Sequence, residues 1–180
     1  VLRSRPETRV AVVPLHLWLG DLPAVSEGTR RALRRELGVP EDALVLASFG
    51  WVGPAKRIDV VLRAFAHLRR RHPEARYVLA GGISPHYRDL HDILAGPLGE
   101  GVLATGRLPL ARLLELMDLA DVAINLRHPT GGETSATCVR LLGLGKPVIV
   151  NSGDWFSDIP AGCCAAIDPG RHEDEELVSV

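Results

Sequence analysis

One segment, residues 125–135, holds the densest group of side chains able to bind a polar ligand. It reads Asn-Leu-Arg-His-Pro-Thr-Gly-Gly-Glu-Thr-Ser. Glu133 offers a carboxylate to sugar hydroxyls, while Thr134 and Ser135 stand where helix amides could hold a phosphate. Arg127 adds positive charge, and the glycine pair lets a ligand approach the backbone. The alternative is an ordinary helix start, capped by Thr134 or Ser135, with Glu133 favoured by the helix dipole.

A second candidate, residues 50–57, reads Gly-Trp-Val-Gly-Pro-Ala-Lys-Arg. Lys56 and Arg57 stand directly before a predicted helix. An anion placed there would meet two cationic side chains and unpaired helix amides. The alternative is a solvated helix start with ordinary surface cations.

The other ionisable residues give weaker signals. Histidine is the side chain that most often acts as a general base, which makes His128 a candidate, but a single histidine in a loop is more often a surface residue. His172, Glu173 and Asp174 stand together near the end of the sequence, and we expect them to be solvated. No spacing of His, Cys, Asp or Glu is typical of a metal site, so no metal is predicted.

Apolar runs alternate with amphipathic stretches, and this alternation must position the candidate residues. Predicted strands cover residues 43–49, 76–80, 102–105, 121–125, 147–151 and 165–167, and the first of them is apolar without alternation. Predicted helices cover residues 26–37, 58–68, 85–94, 110–117 and 134–144, and another opens near 173. The order is typical of an α/β fold, a Rossmann-like parallel sheet with helices on both faces. We assign residues 26–180 to this single domain and residues 1–25 to a linker and entry segment, which includes a short predicted strand at residues 8–15.

Ligands of such sheets bind beyond the carboxyl ends of the strands. This rule selects the two segments above and adds the turns after other strands. Further candidates at these turns are Gly50, Gly82, Gly106 and Arg107. Neither GxGxxG nor GxxxxGK[ST] occurs, so the common nucleotide fingerprints are absent.

Composition excludes several classes of protein. The 180 residues carry a net charge of −1, without the basic excess typical of nucleic-acid binding. The apolar runs are too short to span a bilayer, so no transmembrane segment is predicted. Cys138, Cys163 and Cys164 form no CxxC pair. We interpret them as small buried hydrophobes in a protein of the reducing cytoplasm.

Taken in order, several segments resemble one known family. They are "SFGWVGPAKRIDVVLRAFAHL", "RYVLAGG", "LATGRLPLARLLELMDLADVAINL" and "TGGETSATCVRLLGLGKPVIVNSGDWFSDIP". They are similar to successive strands, turns and helices in the C-terminal domain of retaining glycosyltransferases of the GT-B fold, family four. The resemblance runs from about residue 43 to residue 170, and "RHPTGGETS" looks like a variant of bacterial members.

The resemblance implies roles for individual residues. Lys56 matches the lysine that binds the donor diphosphate, with Arg57 beside it. The family's signature helix carries two glutamates with seven residues between them, and here those positions hold Gly132 and Arg140. Glu133, one residue from the first position, is assigned to the donor sugar. Lys56 and Glu133 are therefore the predicted catalytic residues.

A further departure from the family is Trp51, which stands where an arginine is common. The resemblance implies a UDP-, GDP- or ADP-sugar donor, retaining transfer of a hexose to an unknown acceptor, and no required metal or cofactor. The acceptor and the other wall of the cleft would come from an N-terminal domain absent from this chain. The chain alone is therefore expected to be inactive, and the absent half could supply peripheral membrane contact.

Two other functions remain open at this point. The shifted glutamates are compatible with an inactive glycosyltransferase-like binding module. The same fold also serves sugar-nucleotide epimerases, and fold alone does not decide between these chemistries.

Overall fold

The computed structural model describes residues 25–180, together with Ala11 and Leu15. The predicted linker and entry segment, residues 1–25, with its short strand at residues 8–15, thus lies almost entirely outside the described residues. None of the helices in the described part is long and apolar enough to cross a membrane.

Six strands form one parallel sheet. They are β1 (Val45–Phe49), β2 (Arg76–Ala80), β3 (Val102–Ala104), β4 (Val122–Asn125), β5 (Val148–Asn151) and β6 (Ala165–Ile167). Their order is β3-β2-β1-β4-β5-β6, and all neighbours are parallel. β1 and β5 are buried along their whole length, because helices cover both faces. The six predicted strands are confirmed, with small shifts at their ends.

Six helices cover the two faces of the sheet. They are α1 (Glu27–Glu36), α2 (Ile58–Arg69), α3 (Asp89–Ala95), α4 (Leu110–Leu119), α5 (Ala136–Gly143) and α6 (Glu173–Ser179). Leu33 of α1 and Leu141 of α5 belong to an apolar cluster that also contains α4 residues. Phe65 of α2 and Leu177 of α6 belong to a second cluster, with α3, on the other face. The predicted α/β architecture is confirmed.

Local hydrogen bonds set where the helices begin. Ser26 caps α1 as predicted, since its Oγ accepts from the Thr29 amide at 3.1 Å. α3 begins at Asp89 rather than at residue 85, because residues 84–87 form a turn closed by the Tyr87 amide and the Ser84 carbonyl at 2.9 Å. α5 begins after Ser135, not at residue 134, because the Ser135 Oγ accepts from the amide at position 138.

The cysteine interpretation is wrong for one residue. Cys138 is buried and Cys164 is partly buried, but Cys163 is exposed. Cys163 closes a surface turn before β6, where its amide donates to the Pro160 carbonyl at 3.1 Å. The prediction of a cytoplasmic protein, which used these cysteines, stays a prediction.

The strand order places one special point in the sheet. The chain runs outward from β1 to β3 and then returns to lay β4 against the other side of β1. The carboxyl ends of β1 and β4 therefore flank the position where the order reverses. In open α/β sheets this position is where ligands bind.

Candidate functional site

Glycines bring the backbone close together at the point of reversal. Gly50, directly after β1, has a φ of 91°, and a Cβ there would lie 3.3 Å from the Thr137 hydroxyl of α5. At Gly81, after β2, a Cβ would lie 1.7 Å from the Gly50 carbonyl oxygen. Side chains at these positions would separate the strand ends from the start of α5. The glycines therefore place the β1 loop against the helix amino terminus.

Lys56 is buried between the ends of β1 and β4. It ends the short 3-10 turn Pro54–Lys56, and only 7% of the residue is exposed. Its Nζ donates to the Phe49 carbonyl at 3.1 Å and to the Asn125 Oδ1 at 3.2 Å. An ammonium has three donors, so one remains for a ligand.

This ammonium has no acidic partner within residues 25–180. Burial, followed by the positive charge of Arg127, lowers the pKa of Lys56 from 10.5 to about 8. A buried cation without a counterion costs free energy. An anion bound beside it would recover part of that cost.

Asn125 connects Lys56 to the start of α5. Because Oδ1 faces the ammonium, Nδ2 points to Ser135 and donates to its Oγ at 3.2 Å. The same Oγ caps the helix at the Cys138 amide, 3.3 Å away. The preceding amides, of Ala136 and Thr137, have no partner within the helix and carry its positive dipole end. Lys56 and the α5 amino terminus together therefore suit a phosphate group.

Arg127 and Glu133 lie together in the loop between β4 and α5. Their guanidinium and carboxylate pair directly, and the carboxylate also accepts from the Gly131 amide at 2.8 Å. Backbone hydrogen bonds and then Arg127 hold the pKa of Glu133 below its usual range. About half of its side chain, 51%, is exposed. Glu133 is thus an ionised acceptor suited to hydroxyl groups, and the adjacent Gly132 has a φ of 79°.

Arg57 does not point to an open anion site as predicted. It precedes α2 with a left-handed backbone, φ 54°, and its Nε donates to Glu173 at 2.9 Å. Only 1% of Glu173 is exposed, so the expectation that Glu173 is solvated is wrong. Glu173 also accepts from the Asn151 Nδ2 at 2.8 Å. Glu173 is buried because the first turn of α6 lies against the carboxyl end of β5.

The remaining predicted residues lie farther along the same edge. Gly82 follows β2 and lies under Trp51, whose indole is 63% exposed. Gly106, with a φ of 68°, and Arg107 follow β3 at the rim of the sheet, and both are exposed. With strands about 4.8 Å apart, they lie two strands, roughly 10 Å, from the end of β1. The structure thus groups the central candidates but not Gly106 and Arg107.

The sequence of residues 29–159 matches the family described as glycosyl transferases group 1. The chain belongs to this family. The match confirms the resemblance to the family-four C-terminal domain.

Two curated relatives are D-inositol 3-phosphate glycosyltransferases. The protein from Stackebrandtia nassauensis is 40% identical over 158 residues, which are 82% of this chain and 34% of that protein. The protein from Saccharomonospora viridis is 48% identical over 121 residues, 63% of this chain and 23% of that protein. The chain therefore spans about a third or less of the length of these glycosyl transferases.

Solved structures share the fold. Anabaena Alr3699/HepE, crystallised with UDP and glucose, matches 86% of this chain and 42% of its own, with 23% identity and a TM-score of 0.72. Sucrose-phosphate synthase from Thermosynechococcus elongatus matches 99% of this chain and 44% of its own, with 19% identity and a TM-score of 0.77. At identities this low the likeness shows the fold alone, which is the Rossmann-like α/β fold of a GT-B glycosyl transferase domain.

Sequence reasoning assigned no role to three side chains of this site. Asn125 and Asn151 are buried polar residues at the last positions of β4 and β5. In each case a polar residue stands at the last position of an apolar strand, and this pattern could have identified both asparagines as candidate site residues. Glu173 had no such signal, because it stands in an acidic run that is typical of a solvated helix start.

Proposed function

We propose that this chain binds a nucleotide-sugar donor as one half of a glycosyltransferase. The observation that carries the proposal is Lys56, a buried ammonium with an unused donor beside the amino terminus of α5. In this proposal the donor diphosphate lies between Lys56 and the first amides of α5. Positive charge there stabilises the phosphate as it departs.

The sugar would lie over the loop after β4. Glu133, ionised and half-exposed, would accept hydrogen bonds from its hydroxyls. We infer that the transferred group is a hexose and that its configuration is retained, in keeping with the family resemblance. Fixed cationic groups take the place of a divalent metal, so none is required.

The choice of nucleotide is open among UDP, GDP and ADP. Because the Anabaena relative was crystallised with UDP and glucose, UDP-glucose is the first donor to test. The acceptor would be bound by a second domain, since the Stackebrandtia relative is about two and a half times as long as this chain. The chain alone should therefore bind nucleotide weakly and not turn over.

The test is a thermal titration of the chain with UDP, GDP, ADP and their glucose conjugates. A ligand that binds only the native state raises Tm, because at ten times its Kd it stabilises that state by about 1.4 kcal/mol. Lys56→Met should abolish the response. Lys146→Met is the matched control, because Lys146 is the other lysine of the chain and its Nζ binds the Asp118 carbonyl at the opposite edge of the sheet. A response that survives Lys56→Met would refute this site.

Glu133→Gln separates the sugar from the nucleotide. The variant should bind free UDP as the wild type does, while the extra stabilisation from the glucose conjugate is lost. If the variant binds UDP and the glucose conjugate with equally weakened affinity, Glu133 stabilises the loop and does not contact the sugar.

One observation keeps an inactive binding module as the second candidate. Arg140 stands where the family has a glutamate, and its Nη1 reaches back to the Ala136 carbonyl at 3.4 Å. A guanidinium cannot accept hydrogen bonds from hydroxyls. Nucleotide binding by a longer form of the protein, without transfer or hydrolysis of any donor, would favour the module. Interconversion of sugar epimers would favour an epimerase.

A further inference from the structure

A continuous set of hydrogen bonds joins α6 to the loop of the candidate site. Glu173 Oε1 accepts from Asn151 Nδ2 at 2.8 Å, and Asn151 Oδ1 accepts from the Arg127 amide at 2.7 Å. Arg127 in turn pairs with Glu133. We propose that Glu173 is a positioning residue that orients Asn151 and thereby fixes the loop that presents Arg127 and Glu133.

The polarity of these groups allows one arrangement only. An amide N–H only donates and a carboxylate only accepts. Asn151 must therefore turn Nδ2 to Glu173 and Oδ1 to Arg127. Both Glu173 and Asn151 are buried, so water does not replace either bond.

A second branch reaches the Lys56 turn. Arg57, directly after Lys56, donates from both Nε and Nη2 to Glu173 Oε2. Its left-handed backbone, φ 54°, is strained for a residue other than glycine, and the ion pair with buried Glu173 offsets that strain. One carboxylate at the start of α6 thus contacts the segment that follows β1 and the last residue of β5, and through Asn151 the segment that follows β4. The distance between the proposed phosphate and sugar groups depends on these three segments.

This inference rests on the proposed function for its consequence in binding, but its geometry can be tested without a ligand. Glu173→Gln removes one acceptor and adds a donor. The new amide oxygen should face Arg57, because hydrogen bonds from a charged guanidinium are the stronger ones, and its NH₂ then meets the NH₂ of Asn151. If Asn151 then rotates, its NH₂ meets the Arg127 amide instead. Either way, one donor faces another.

A second change restores the polarity. In the double variant Glu173→Gln/Asn151→Asp, the new amide oxygen accepts from Arg57 and its NH₂ donates to the new carboxylate. That carboxylate also accepts from the Arg127 amide. The single variant Asn151→Asp instead sets two carboxylates against each other, so only the pair of changes matches.

The readout is hydrogen exchange of the Arg127 amide, followed by NMR in the 180-residue chain, with the Kd for UDP measured beside it. Loss of the hydrogen bond should speed exchange about tenfold or more in each single variant, and UDP binding should weaken. The double variant should return exchange to within about fivefold of the wild-type rate. Glu175→Gln is the matched control, because Glu175 is exposed on the same helix and pairs with His172.

The outcomes separate the two proposals. Unchanged protection of Arg127 in Glu173→Gln overturns the positioning role, as does a double variant that fails to fold or to recover protection. If the exchange pattern is as expected while the wild type binds no nucleotide, the positioning role stands and the proposed function fails.

Discussion

Replacing Lys56 with methionine should make the ligand-free protein more stable while removing its anion site. Methionine has a similar length and fills the same buried space without the charge. The change therefore separates the cost of the buried ammonium from its use in binding. Sites that bind ligands commonly give up stability in this way.

The size of the gain follows from the pKa. Burial lowers the pKa of Lys56 from 10.5 to about 8, and at about 1.4 kcal/mol per unit this costs the folded state about 3 kcal/mol at pH 7. The variant leaves the Phe49 carbonyl and the Asn125 Oδ1 with one hydrogen bond fewer each, a loss of about 1–2 kcal/mol in total. The net gain is about 1–2 kcal/mol, or a rise in Tm of about 3–6 °C for a chain of this length.

The pH dependence has a definite sign. Between the folded pKa of about 8 and the unfolded pKa of 10.5, the unfolded chain binds more protons at Lys56 than the folded chain. The wild type therefore gains stability as the pH rises through this range. Its penalty is complete below pH 8 and gone above about pH 10.5. There the neutral amine keeps its hydrogen bonds, so the order of stability should reverse and the wild type should be more stable.

Thermal or urea unfolding of both proteins from pH 7 to pH 10.5 measures this difference. The reasoning is refuted if Lys56→Met is less stable than the wild type at pH 7 and the difference does not change with pH. That outcome would mean that Lys56 has a counterion or is well hydrated in solution.

Three further predictions follow from the same geometry. Binding of UDP should weaken about 30-fold between pH 7 and pH 9.5, since the charged form of Lys56 is by then about one part in thirty; calorimetric titration at several pH values checks this, and a constant Kd would contradict it. Gly81→Ala should destabilise the fold by about 3 kcal/mol or more in urea unfolding, because its Cβ would lie 1.7 Å from the rigid Gly50 carbonyl; a change below about 1 kcal/mol would show that β1 shifts easily. A thiol reagent should label exposed Cys163 in the native protein and leave buried Cys138 unlabelled, as mass spectrometry of the labelled peptides would report.

Patterns within the sequence were enough for most of the fold. β2 was predicted at its observed bounds because glycine and an arginine-rich helix end enclose one apolar run. The start of α3 was misplaced because it depends on a distant partner. The Tyr87 hydroxyl donates to Asp59 at 3.1 Å, which holds residues before the helix in a turn. Helix signals within the sequence carry no information about such a contact.

For the candidate site, too, sequence patterns located some of the residues and not others. Lys56 and the 125–135 loop could be found because both follow strands, and parallel strands end at one edge. The partner of Arg57 could not, since Glu173 is 116 residues away. That contact exists only because β6 and α6 fold back beside β5. Charge spacing along a sequence does not report this kind of proximity.

The two buried charges of the site illustrate how structure separates positioning from binding. Glu173 is satisfied on both oxygens, by Arg57 and Asn151, so its charge is already used inside the protein. Lys56 is equally enclosed, but its acceptors are neutral and one donor is unused. A buried ion that is fully paired holds segments together, whereas one that is solvated only by neutral groups favours an incoming counterion. The negative charge of the ligand is therefore expected beside Lys56. Glu173 contributes to binding only indirectly, because it holds the surrounding segments in position.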